Sequence, residues 1–162
     1  MNNIKLFEEF DNTDLIETIK EILLPFTDDN IKVKVTESIN YITIEIGEEH
    51  NHLFEISPKN YEDTFDTLFN FLELEQLKII KSLYKITGEE FCPKCDSYKV
   101  NPLYDELSDE YDYSTYQCNM CDYMGSYDEF SDTWRDLTKE SFKKIIKNNI
   151  TISYIEITLK IK

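Results

Sequence analysis

The chain has 162 residues, enough for one domain or for one domain carrying a small insertion. Its 33 acids against 17 bases leave a formal charge of −16, a field that repels phosphate backbones and disfavours direct nucleic-acid binding. Isoleucine, leucine, phenylalanine and tyrosine are too plentiful for a disordered chain, no apolar run is long enough to span a membrane, and Met1 to Glu9 carries acids where a signal peptide needs a basic and then an apolar run, so a cytoplasmic protein without a membrane span is expected.

Residues 12–24 place Leu15, Ile16, Ile19, Ile22 and Leu23 at spacings of three and four, with Asn12 or Thr13 able to cap and Pro25 just beyond. That pattern predicts an amphipathic helix. Residues 31–36 and 39–46 alternate β-branched and polar residues, as in Ile42, Ile44 and Ile46 against Thr43 and Glu45, and predict a hairpin turning near Glu37 and Ser38. Leu53, Phe54 and Ile56 predict a third strand ending at Pro58, with His50 and His52 in the loop before it. Tyr61, Phe65, Leu68, Phe69 and Leu72 return to helical spacing, and Leu77, Ile80, Leu83 and Tyr84 continue it to a stop near Gly88.

Nearer the C-terminus, Phe142, Ile145 and Ile146 predict a short helix, whose Lys139, Lys143, Lys144 and Lys147 face solvent or answer acids elsewhere in the fold. The last run, Ile150 to Ile161, alternates as a strand with one slip of phase, which suits a bulge. A terminal strand so apolar should pair with the N-terminal sheet. The expected fold is therefore α+β, an antiparallel or mixed sheet with flanking helices. Residues 1–88 plus 137–162 would form the core domain, and residues 89–136 would be inserted into it.

The insertion holds all four cysteines, in two pairs of the form Cys-x2-Cys: Cys92 with Cys95, and Cys118 with Cys121. Two such turns can aim four sulfurs at one ion and close a tetrahedral site, so one structural zinc ion is expected. Two disulfides or a redox pair are the alternatives. Residues 92–121 resemble a zinc ribbon, and Asp109 with Glu110, just before the second pair, are similar to the acidic hairpin tip of transcript-cleavage elongation factors. That resemblance implies a protein acting on RNA polymerase, in which Asp109 and Glu110 help to hold a catalytic magnesium ion. The chain departs from that family at Glu106, where the family carries an arginine, and at Asp122, where it carries a glycine.

Residues 105–136 hold ten acids and a single arginine, a net of −9, interleaved with Tyr111, Tyr113 and other aromatic residues. Asp105, Glu106, Asp109, Glu110, Tyr111, Asp112 and Tyr113 are the candidate contacts to a partner protein with a basic surface, because carboxylates supply complementary charge and tyrosines supply rigid contact area. A nucleic-acid-handling partner fits, and an inhibitor or regulator, such as a phage-encoded antagonist that mimics nucleic acid, has this character. The alternative is that the tyrosines pack the insertion on the core while the acids keep it soluble. Three unclustered glycines exclude a phosphate loop, and no Ser-His-Asp or Cys-His order is present, so a non-enzymatic protein is expected.

Overall fold

The structure, a computed structural model, describes residues 12–51, 53–88 and 90–161. Met1 to Glu9, read above for the lack of a signal peptide, and His52 lie outside the described residues. Helix α1, Asn12–Ile22, buries Leu15 and Ile19, as its spacing predicts. Pro25 does not simply end it: a second short helix, α2, Leu24–Asp28, carries that proline in its first turn, where a missing N–H leaves no bond unmade. Helix α3, Glu62–Leu74, follows a 3-10 turn at Pro58–Tyr61 and buries Phe65, Leu68, Phe69 and Leu72. The short helix α4 is Tyr127–Ser131, and α5 is Lys139–Lys147, capped by reciprocal bonds between Thr138 and Ser141.

The strands are β1, Val33–Glu37; β2, Tyr41–Gly47; β3, Lys78–Ile86; β4, Val100–Asp105; β5, Glu110–Cys118; β6, Met124–Ser126; β7, Trp134–Asp136; and β8, Ile152–Lys160. They form two sheets, one of five strands in the order β1-β2-β8-β3-β7 and one of three in the order β4-β5-β6, and every pairing is antiparallel. The fold is α+β. As its apolar sequence requires, the terminal strand β8 lies in the middle of the larger sheet, between β2 and β3. Helices α1, α2, α3 and α5 share one core with Ile42, Ile44, Ile46, Ile155, Ile157 and Leu159 of the sheet. The intervening residues, Glu45 on β2 and Glu156 on β8, lie opposite each other, and each meets a lysine, Lys34 at 3.4 Å and Lys81 at 2.9 Å.

The slip of phase in the last strand is a bulge. Tyr154 pairs with Lys85 and Ile152 with Ile86, so β8 carries Ser153 as an extra residue. The Ser153 carbonyl turns toward Gly47 and accepts the Glu48 N–H at 2.8 Å. A Cβ on Gly47 would stand 2.3 Å from that oxygen, and the backbone there has φ +93°, so only glycine fits.

Two predicted elements are corrected. Ile80, Leu83 and Tyr84 lie in β3, Lys78–Ile86, and not in a continuation of helix. The chain leaves α3 at Gln76, with φ 52°, and a second bulge at Ile80 breaks the two-residue alternation, so the apolar positions imitate helical spacing. The strand expected at Leu53 to Pro58 shrinks to a single bridge, Ile56 to Ile152. Trp134 to Asp136, placed by the sequence in the insertion, is edge strand β7 of the larger sheet. Among the described residues, no helix is long and apolar enough to cross a membrane.

Candidate functional site

The smaller sheet is drawn from residues between β3 and β7, and two tight turns bring its cysteines together. The first turn, Cys92 to Cys95, precedes β4, and the second, Cys118 to Cys121, joins β5 to β6. The turns have the same geometry. In each, the N–H two residues beyond the first cysteine points at its sulfur, Lys94 to Cys92 and Met120 to Cys118, both at 3.4 Å. In each, the residue after the second cysteine donates its N–H to the carbonyl of the first at 2.9 Å, Asp96 to Cys92 and Asp122 to Cys118. Both aspartates adopt the left-handed conformation, with φ 55° and 60°. Asp122 therefore stands where a positive φ is required, and aspartate is among the few residues besides glycine that accept it readily.

The four sulfurs lie within 4.8 Å of one another. Their close approaches cross between the turns, Cys92 to Cys121 at 3.5 Å and Cys95 to Cys118 at 3.6 Å. A tetrahedron of sulfurs each about 2.3 Å from a metal has an edge of about 3.8 Å, so the set fits a metal closely. A disulfide needs about 2.05 Å between its sulfurs, well short of these approaches, and all four cysteines are free. Burial, opposed only in part by N–H bonds, pushes the Cys92 thiol up and the Cys95 thiol to about 12, with the neighbouring thiols adding to both. At Cys118 burial is outweighed by the N–H groups of Met120 and Cys121 together with the Cys95 and Cys121 thiols, which bring it to about 7. As thiolates the four would need a cation between them, and the set can hold one metal ion of the kind that takes four soft ligands, such as zinc or iron.

Behind the sulfurs, Tyr116 and Phe130 pack with Cys92 and Cys118 into a small core, and α4 supplies Phe130. The site is tied to the larger sheet through Asp96. Its two carboxylate oxygens meet Arg135 of β7 at 2.9 Å and Lys144 of α5 at 3.4 Å. Of the lysines on α5, Lys144 thus answers an acid of the cysteine turns, while Lys139 pairs with Glu73 of α3 at 2.7 Å.

The candidate contact residues sit on the β4–β5 hairpin, and their side chains divide into two groups. Asp105 and Asp112 fold the hairpin. Asp105 accepts the Leu107 N–H at 3.0 Å and the Ser108 hydroxyl at 2.9 Å, and Asp112 accepts the Ser114 hydroxyl at 2.6 Å and its N–H at 2.9 Å. These bonds hold both carboxyls below the usual carboxylate range. Asp109, in the turn with φ 56°, accepts the Tyr104 hydroxyl, which is thereby kept protonated beyond its usual range. Glu106, Glu110, Tyr111 and Tyr113 remain exposed. Among the described residues, no lysine or arginine forms an ion pair with Asp105, Glu106, Asp109, Glu110 or Asp112. Sequence reasoning missed the bracing role of Asp96 and Arg135, although an aspartate directly after each Cys-x2-Cys was visible. No family model, curated protein or solved structure matches this chain.

Proposed function

We propose that this is a non-catalytic protein of the cytoplasm that holds one structural zinc ion through Cys92, Cys95, Cys118 and Cys121, and docks by its acidic hairpin on a basic, nucleic-acid-handling protein as an inhibitor or regulator. The observation that carries the reading is the hairpin's unanswered charge: five carboxylates on a short, braced turn, with no cation drawn from elsewhere in the described chain. Such a field would steer a basic partner and reject nucleic acid. The zinc ion would fix the base of the hairpin and do no chemistry, because a site closed by four thiolates leaves no position for substrate.

The test separates charge from folding. Glu106→Lys with Glu110→Lys reverses the two carboxylates that make no internal bond and leaves the bracing aspartates in place. Captured from cell lysate, the partner should bind the zinc-loaded wild type, leave as salt is raised, and be lost from the double variant, which should still carry one zinc per chain. Equal capture by both proteins would return the acids to a solubilising role. A second reading draws on the position of Asp109 and Glu110 at the hairpin tip: action on RNA polymerase, as the likeness to transcript-cleavage factors implies. Asp109→Ala with Glu110→Ala would then abolish transcript cleavage by the polymerase while leaving binding intact.

A further inference from the structure

The β4–β5 hairpin carries an aromatic groove that the small core does not use. Tyr116 turns inward with Phe130, whereas Tyr104, Tyr111 and Tyr113 stay 45%, 55% and 68% exposed. Tyr104 and Tyr111 are cross-strand partners with ring centroids 5.2 Å apart, and Tyr113 continues the row at 6.2 Å. With Asn101, Gln117 and Asn119, they line an open groove of about 480 Å³. One carboxylate stands at its edge: Asp109 is held against the Tyr104 hydroxyl, in a hairpin whose acids give it a negative field.

These features narrow what the groove can hold. Exposed tyrosine faces attract either an apolar group or a cation, and the Asp109 carboxylate at their edge, with no ion-pair partner among the described residues, selects the cation. Phosphate-bearing ligands are repelled by the same carboxylates. Between the two protein cations, a planar guanidinium can lie flat on a ring and still direct its N–H groups to a carboxylate and to side-chain amides, whereas a compact ammonium cannot do both. We propose that the groove captures arginine side chains from an extended basic segment of a partner protein, the guanidinium stacking on Tyr111 and Tyr113 with Asp109 as its counter-ion. The inference deepens the docking reading above and rests on it: the hairpin reads arginine in a flexible segment and not merely positive charge.

The experiment uses the full zinc-loaded chain and three labelled peptides of one sequence, in which alternate positions are arginine, lysine or citrulline, with binding followed by fluorescence anisotropy. The arginine peptide should bind more tightly than the lysine peptide, and the neutral citrulline peptide should bind least. Tyr111→Leu with Tyr113→Leu should weaken the arginine peptide by about threefold to tenfold, and Tyr111→Phe with Tyr113→Phe should leave it near wild type. Zinc content and circular dichroism of each variant would show that the hairpin is still formed. Equal affinity for the arginine and lysine peptides, leucine variants that bind as wild type does, or no binding of the arginine peptide by the wild type would each overturn the inference. The docking reading has its own separate outcome: lysate capture that is lost in the Glu106→Lys, Glu110→Lys protein but kept in the leucine variant would leave docking standing and remove the groove from it.

Discussion

Side chains that the sequence shows as interchangeable acids do quite different work once placed. Asp96 braces a cysteine turn against Arg135 and Lys144, Asp105 and Asp112 close backbone turns, and Glu106 and Glu110 face outward. Glu45 illustrates how such a placement shows itself in pH. Its carboxylate accepts the Tyr154 hydroxyl at 2.7 Å and meets Lys34 at 3.4 Å, and the Tyr154 bond, ahead of the lysine, lowers its pKa despite partial burial. A carboxyl whose folded pKa is depressed stabilises the fold above its unfolded pKa, and that stability is lost as pH falls through the folded value. Glu45→Gln should therefore cost about 1 kcal/mol near neutral pH, and the deficit should shrink as pH falls below the ordinary glutamate range, because the other carboxyls titrate alike in both proteins. Urea midpoints of the two proteins measured across that range would decide it, and a deficit that stays constant with pH would refute the assignment.

At the scale of elements, one device recurs three times. Helices α2, α3 and α5 each end on a residue in the left-handed conformation, Asn30, Gln76 and Asn149, followed by an apolar residue, Ile31, Leu77 and Ile150. In each case the apolar residue's N–H reaches back to Phe26, Leu72 or Ile145, and the left-handed residue's N–H reaches to Thr27, Glu73 or Ile146. This pair of bonds turns the chain sharply out of the helix and into the run that leads to a strand. Asparagine tolerates that conformation, but glutamine does so poorly. Gln76→Gly should thus raise stability by about 0.5–1 kcal/mol, seen as a higher denaturant midpoint with unchanged slope; a lower midpoint would contradict the argument. The same position shows why β3 was not legible. Sequence reading seeks helix stops in Gly and Pro, and a glutamine stop beside a strand with a bulge leaves the spacing of Leu77, Ile80, Leu83 and Tyr84 looking helical. By contrast, α1, the β1–β2 hairpin, α5 and β8 were legible because their apolar periods run unbroken, apart from the one slip at Ser153. The cysteine cluster was legible from spacing alone, whereas the split between bracing and outward-facing acids depends on bonds between side chains and backbone that no spacing encodes.

The whole molecule is held by two cores of very different kinds. The larger spans the five-stranded sheet and its helices, from Leu15 to Ile161; the smaller consists of Cys92, Tyr116, Cys118 and Phe130, two of which are sulfur donors. A three-stranded sheet with so little apolar surface does not offset the entropy of ordering its chain, and a metal held by the four sulfurs, worth on the order of 10–16 kcal/mol in zinc-finger peptides, would supply the difference. The larger core makes no such demand. Removing the metal with a chelator should therefore release amide hydrogen exchange throughout β4, β5 and β6 while β2 and β8 stay protected, because opening follows cooperative units and not the chain as a whole. The Asp96 links to Arg135 and Lys144 are the route by which the change would spread, so β7 should exchange faster while α5, anchored by Phe142 and Ile145 in the larger core, should change little. Exchange mass spectrometry with and without chelator tests this directly. Uniform loss of protection across both sheets would mean that the cores fold as one unit, and unchanged protection in β5 would mean that the hairpin stands without its metal.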